Sequence, residues 1–270
     1  MAIHPTAIVE DGATLGAGVE IGPFCIVERT VTLGDGVRLL SHALVKGHAT
    51  VGARTVLHPQ SVLGGEGQIR RNDYIEGRLV VGADCVIREG VTMSVGSRSG
   101  GGLTTVGDNC YFMAMSHVAH DCHVDSDVTM VNGSVLGGHA SIGQGAIIGG
   151  VSAVQQFCRV GRGAMIGGLT GVNTDVIPYG MATGDHAVLG GLNIIGMKRR
   201  GLSREAINAM RHAFKAIFLT TGGSLFDRAR AAKAKWAGVE QVQEMTDFIL
   251  ADAKQSLCVA DPSRIHSDQD

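Results

Sequence analysis

The segment Ser116-His117-Val118-Ala119-His120-Asp121-Cys122-His123 carries three histidines at spacings of three, with a carboxylate beside the middle one. Imidazole is the commonest metal ligand, and it is also the side chain whose ordinary pKa suits proton transfer near neutrality. Two chemistries therefore compete: a metal centre, and a general base oriented by an acid. Which one the residues can perform depends on whether the three rings can converge, and so on the elements that carry them.

Those elements follow from a period of six. Counting from Ile3, the positions Ile3, Val9, Leu15, Ile21, Val27, Leu33, Leu39, Val45, Val51, Leu57 and Leu63 are all aliphatic, and Val81, Ile87 and Met93 continue in phase. After a slip of one residue the run resumes at Val106, Phe112, Val118, Val124, Met130, Leu136, Ile142, Ile148, Val154, Val160, Ile166 and Val172. All 26 sampled positions are apolar in a chain that is 44% hydrophobic, and glycine follows 12 of them. Glycine tolerates the positive φ of a tight turn. This is the signature of a parallel β-helix in which each hexad is a short strand and a corner, and three hexads close a triangular coil of 18 residues. Successive coils stack at about 4.8 Å. The pattern itself does not set the handedness.

The phase then tests the histidines. His117 and His123 fall on the outer faces of two different sides of the prism, and His120 falls at a corner, so the three cannot meet at one ion within one chain. Adding 18 places Gly138 above His120 and His139 above Asp121; adding 36 places Gln156 on the same vertical row. That corner offers a general base, a carboxylate to orient it, a second histidine and an amide to receive an oxyanion. No Ser or Cys lies on the row, so the chemistry predicted is direct transfer to a hydroxyl or amine without a covalent intermediate.

The repeat is interrupted at 64–80 and 94–105 by segments rich in glycine and polar residues, which read as loops expelled from the coil and candidates for the binding face. After Val172 the period fails. From Ser203, a predicted N-cap, Ile207, Met210, Phe214, Ile217 and Phe218 share a helical face, with further helices expected near Leu225–Trp236 and Val239–Gln255. The expected division is a coil over 1–185 and a helical domain over 186–270. Ten Lys/Arg between Gly196 and Trp236 face only Glu205 and Asp227, a local +8 within a chain of net charge −2. That patch suits an acidic macromolecule, while the overall charge gives no bias towards nucleic acid or an anionic membrane.

With 40 glycines among 270 residues but no collagen triplet, and with too much apolar content for disorder, a regular use of glycine is required. No stretch approaches the roughly 18 apolar residues of a membrane span, and the first ten residues lack the build of a signal peptide, so a cytoplasmic location is expected. The six cysteines form no CxxC pair. Five of them (25, 85, 110, 122, 158) lie two residues before an inward aliphatic residue, a slot for small buried side chains, which predicts inert thiols and no structural metal.

With Gly137-Gly138-His139, Gln155-Gln156-Phe157, Gly184-Asp185-His186-Ala187 and Lys198-Arg199-Arg200-Gly201, the hexad array and its Ala119-His120-Asp121-Cys122 turn resemble the acyl-carrier-protein–UDP-N-acetylglucosamine O-acyltransferases that begin lipid A synthesis. The likeness runs from His4 to about Phe218. It implies a homotrimer of left-handed parallel β-helices, each with a C-terminal α-helical domain, and active sites between subunits. It also implies transfer of a 3-hydroxyacyl chain from acyl carrier protein to the glucosamine 3-hydroxyl, with no cofactor. By the same resemblance His120 is the base, Asp121 its orienting partner and Gly138 the oxyanion donor. His117, His139, Gln156 and His186 would position sugar or acyl chain, Arg199 and Arg200 would meet the UDP phosphates or the carrier protein, and Gly168 would leave room for a longer acyl chain.

The chain departs from the family in the two loops. Where relatives carry a Q-D-L-K-Y-x-G-E-like loop, Gln68 is kept, Arg71 replaces the lysine and the G-E ending is lost; the usual R-G-T after Met93 reads Val95-Gly96-Ser97. Gln68 and Arg71 are thus candidates for nucleotide contacts. Three other readings stay open on sequence: an acyltransferase for a 3-amino or other nucleotide sugar, a trimeric metalloenzyme resembling γ-class carbonic anhydrases, and a β-helix scaffold without activity.

Overall fold

The structure is a computed structural model that describes residues 2–70 and 76–260; Arg71 lies outside the described residues. It is a left-handed parallel β-helix followed by a helical unit. Three sheets of 11, 9 and 8 strands form the sides of the prism. We call them sheets I, II and III; consecutive hexads visit them in turn, as Glu20–Ile21, Ile26–Val27 and Thr32–Leu33 do. All 26 periodic residues lie in strands and all but Leu63 and Met93 close them; from the second coil upward each points inward, as Leu57, Val118 and Ile142 do with no exposure. Only the first coil, which has a neighbour on one side, leaves Ile3 exposed.

The register explains the slip. Val118 pairs with Leu136, 18 residues on. Across the first insertion Leu57 pairs with Ile87, a separation of 30, so the 12 extra residues equal two hexads and the phase survives. Across the second, Ile87 pairs with Phe112, a separation of 25, and the 7 extra residues shift the phase by one. The strands Arg78–Val81 and Leu103–Val106 extend into the expected loops and pair with each other along sheet III. All six cysteines are buried and free.

Beyond Val172 the coil is closed by an antiparallel hairpin, Gly180–Thr183 with Val188–Leu192, which the periodicity does not foretell. Four helices follow: α1 (Ile194–Arg199), α2 (Arg204–Phe218), α3 (Leu225–Lys235) and α4 (Glu240–Leu250). The Ser203 hydroxyl accepts from the Ala206 amide to start α2, and Ile207, Met210, Phe214 and Ile217 form its buried face. Helix α4 stops at Leu250, five residues short of the expected Gln255. Val242, Met245 and Ile249 exhaust its apolar face, and Ala251 turns extended. The chain then runs back to the coil, where Ser256 accepts from the Asp175 amide and the Cys258 amide donates to Asp175. Asp175, 1% exposed, takes two bonds of 2.7 Å from Arg159, whose guanidinium lies 4.3 Å above the Phe248 ring.

Candidate active site at a coil corner

His120 and Asp121 form the corner between the sheet II strand His117–Val118 and the sheet III strand His123–Val124. Asp121 has a φ of 59°, and the residues above it on the corner row, His139 (62°) and Phe157 (66°), repeat it. Non-glycine residues seldom enter this region, Asp and His more readily than most, and the coil imposes it at this corner even on Phe157. Each coil therefore presents its corner side chain in the same direction, one rung above the last.

Asp121 Oδ2 lies 2.7 Å from His120 Nδ1. Since the carboxylate accepts, Nδ1 carries the proton and Nε2 keeps its lone pair, the tautomer a base requires. The Asp121 side chain is 2% exposed, that of His120 15%. Burial pushes the Asp121 carboxyl up, but the Ser97 hydroxyl (2.5 Å) and amide (2.9 Å), with His120, more than offset it and hold the group below the usual carboxylate range. The Asp121 amide in turn donates to Thr104 Oγ1.

Both expelled loops close on this pair. In the second, Gly100 packs on Asp121, where a Cβ would stand 2.0 Å from the carboxyl carbon; in the first, a Cβ on Gly67 would stand 3.1 Å from that of His120. Gly138, on the rung above, lies against the His120 ring, so close that a Cβ would fall 2.7 Å from Nε2, and its amide donates to no acceptor among the described residues. Above, His139 meets His120 edge-on with centroids 5.3 Å apart, and its Nε2 is 3.8 Å from Asp121 Oδ2. Phe157 stacks on His139 at 4.4 Å. Burial, with smaller contributions from His120 and Lys254, pushes the His139 imidazole down against the pull of Asp121. His117, bonded at 2.7 Å to Thr92, is likewise pushed down by burial.

Donor atoms of His120, Asp121 and His139 lie within 4.8 Å of one another, a grouping to test against a metal. The carboxylate already accepts from the Ser97 amide, the Ser97 hydroxyl and His120. Those donors stabilise the free anion and orient it on the base, which fits a proton relay and not a cation site. The nearest thiol, Cys122, is buried, donates to the Gly137 carbonyl and is pushed up by burial to about 12, so it is no nucleophile.

Other expected residues lie apart from this corner in a single chain. Gln156 is exposed two rungs above His120, with its carbonyl taking a bond from Gln255. Gln68 is exposed in the first loop. His186 is exposed in the hairpin turn at the top of sheet II, where the flanking backbone bonds Gly171. Gly168 belongs to the corner after sheet I, and Arg200 bonds the Gly145 carbonyl at the corner after sheet III. Arg200, Arg162, Tyr179 and Glu244 line a cavity of about 830 Å³ that excludes His120. Arg199 is exposed at the end of α1. Sequence reasoning missed Ser97, Thr104, Gly67 and Gly100, and of Phe157 it used only the motif. The phase does place Phe157, 18 beyond His139, over that ring.

Residues 175–258 match the family model described as UDP N-acetylglucosamine O-acyltransferase, domain 2. A Rhizobium johnstonii protein named acyl-[acyl-carrier-protein]–UDP-N-acetylglucosamine O-acyltransferase is 49% identical over 94% of this chain and 93% of its own. Among solved structures, one titled UDP-N-acetylglucosamine acyltransferase superposes with a TM-score of 0.93 at 34% identity, covering 97% of this chain and all of that one. The Campylobacter jejuni enzyme of the same title gives 0.90 at 30% identity over 96% of this chain and all of its own.

Proposed function

The chain belongs to the acyl-[acyl-carrier-protein]–UDP-N-acetylglucosamine O-acyltransferase family, and from that premise we propose that it moves a 3-hydroxyacyl chain from acyl carrier protein to the 3-hydroxyl of UDP-N-acetylglucosamine, opening lipid A synthesis in the cytoplasm. The observation that carries the mechanism is the 2.7 Å contact between His120 Nδ1 and a buried, Ser97-anchored Asp121. His120 Nε2 removes the proton of the sugar hydroxyl as its oxygen attacks the thioester carbon. The carbonyl electron pair moves onto oxygen, facing the Gly138 amide. Collapse re-forms the carbonyl, breaks the C–S bond, and the departing thiolate takes the proton back from the imidazolium. Asp121 remains an anion throughout and stabilises the transient charge on His120.

In one chain His186, Arg199, Arg200 and Gly168 lie on faces other than this corner. We take the site to be completed by a neighbouring copy in a homotrimer, which equilibrium sedimentation tests. A cavity of about 490 Å³ between α1 and α2, lined by Lys198, Arg204 and Arg211, offers cations to an acidic carrier protein. No helix among the described residues is long and apolar enough to cross a membrane. The deciding assay offers hydroxyacyl carrier proteins and a panel of UDP-sugars, including a 3-amino sugar; absence of turnover with UDP-N-acetylglucosamine refutes the reading.

A further inference from the structure

After α4 the chain doubles back over the catalytic corner. There the Lys254 ammonium lies 4.2 Å from the centroid of the Phe157 ring. The Phe157 ring is stacked on His139 at 4.4 Å and 11°, and His139 stands edge-on to His120. Gln255 fastens the tail to the same rung by donating to the Gln156 carbonyl at 3.1 Å. The result is a pillar of four side chains that begins on the C-terminal tail and ends on the base.

We propose that Lys254 and Phe157 are positioning residues for acyl transfer, a tail-borne clamp that fixes the plane of His139 and keeps it from competing with His120 for Asp121. The competition is geometric. Oδ2 of Asp121 is 2.7 Å from His120 Nδ1 and 3.8 Å from His139 Nε2, so a modest rotation of His139 would bring a second imidazole onto the same oxygen. Stacking against Phe157 resists that rotation, and a cation on the outer face of the aromatic ring strengthens the pillar. The titratable groups facing His139 are Asp121 and His120 from the coil below and Lys254 from the tail. Of these only Asp121 favours a charged His139. Lys254 adds to the burial that opposes it, so removing the ammonium favours an imidazolium that turns towards Asp121 and draws the carboxylate from the base.

The inference rests on the acyl-transfer reading, and the experiment separates the two, because wild-type turnover of UDP-N-acetylglucosamine tests that reading before any variant is compared. The pH dependence of kcat/KM is measured for wild type, Lys254→Arg, Lys254→Met, Lys254→Glu and Phe157→Leu, with melting curves for each. Lys254→Glu reverses a charge no more than about 9 Å from the His139 ring centre, which moves the acid limb upward by about one pH unit at an intermediate effective dielectric. Lys254→Met moves it by about half as much, and Lys254→Arg, which keeps a cation on the ring, leaves it in place. Phe157→Leu lowers kcat by about tenfold and moves the limb in the same direction. A tail that merely braces the fold would change melting and scale every rate without moving the limb. Superimposable acid limbs in wild type and Lys254→Glu, or equal impairment of Lys254→Arg and Lys254→Glu, overturn the proposal.

Discussion

Replacing Gly138 by alanine tests the active-site geometry most directly, because the added atom has nowhere to go but into the base. Its Cβ would stand 2.5 Å from His120 Cε1, 2.7 Å from Nε2 and 3.1 Å from Nδ1. Carbon contacts are comfortable only at about 3.5–4.0 Å, so the ring must retreat by roughly 1 Å. Behind it stand Gly67 and the bond to Asp121, and a retreat of that size abandons the 2.7 Å contact. The backbone itself accepts alanine, since Gly138 is not among the residues with positive φ. The strain therefore falls on the site and not on the coil. Misplacement by about 1 Å costs on the order of 10²-fold, and that loss is expected in kcat/KM for acyl transfer to UDP-N-acetylglucosamine, with a melting temperature within a few degrees of wild type. Gly238→Ala, whose Cβ meets nothing within 4 Å, serves as the control. A Gly138→Ala enzyme within threefold of wild type would refute the geometry.

Further outcomes are expected. His120→Ala lowers kcat by about 10²–10⁴, the usual contribution of a general base, with the fold intact by circular dichroism; an unchanged rate would assign the base elsewhere. Asp175→Ala strips the partly exposed Arg159 guanidinium of its carboxylate and the Arg159 amide of its acceptor, and costs about 1–3 kcal/mol in denaturant unfolding, loosening the tail; a loss below about 0.5 kcal/mol contradicts the pairing. Burial holds His117 and His139 below their ordinary range. A depressed folded-state pKa gives stability that is complete above the unfolded value of about 6.5 and is lost as pH falls through the folded one. Melting temperature should therefore decline from about pH 6.5 downward, and less steeply in His117→Gln; a flat profile between pH 7 and 5 would contradict this.

The fold was legible because a single constraint, one apolar residue per hexad, recurs from Ile3 to Val172 across only two interruptions. The same arithmetic put His139 over Asp121 and Gly138 beside His120, and the structure has them there. Period says nothing about where an expelled loop goes. Ser97, legible only as a departure from a family motif, is the residue that anchors the carboxylate. The tail was hidden for another reason. Its residues are held by backbone bonds to Asp175 and by a cation on an aromatic ring, contacts that need neither an apolar period nor a capping signal. The ten basic residues also proved less free than their count implied, since Arg228 donates to the Ile217 carbonyl near the end of α2 and to those of Gly222 and Gly223, and Arg230 and Lys233 pair with Asp227 and Asp247.

His120, Gly138 and Gln156 occupy consecutive rungs of one corner, and the hydrogen-bonded spacing of the strands fixes the rise between rungs at about 4.8 Å. The coil is therefore graduated. Inserting or removing a whole 18-residue rung above His139 leaves every inward side chain in register and moves whatever stands farther up by one graduation. Side-chain exchanges at a corner supply smaller increments between marks. A scaffold of this kind has a coarse and a fine adjustment for the length of what it holds, and the two can change independently because the base and its anchoring loops lie below the rungs being counted.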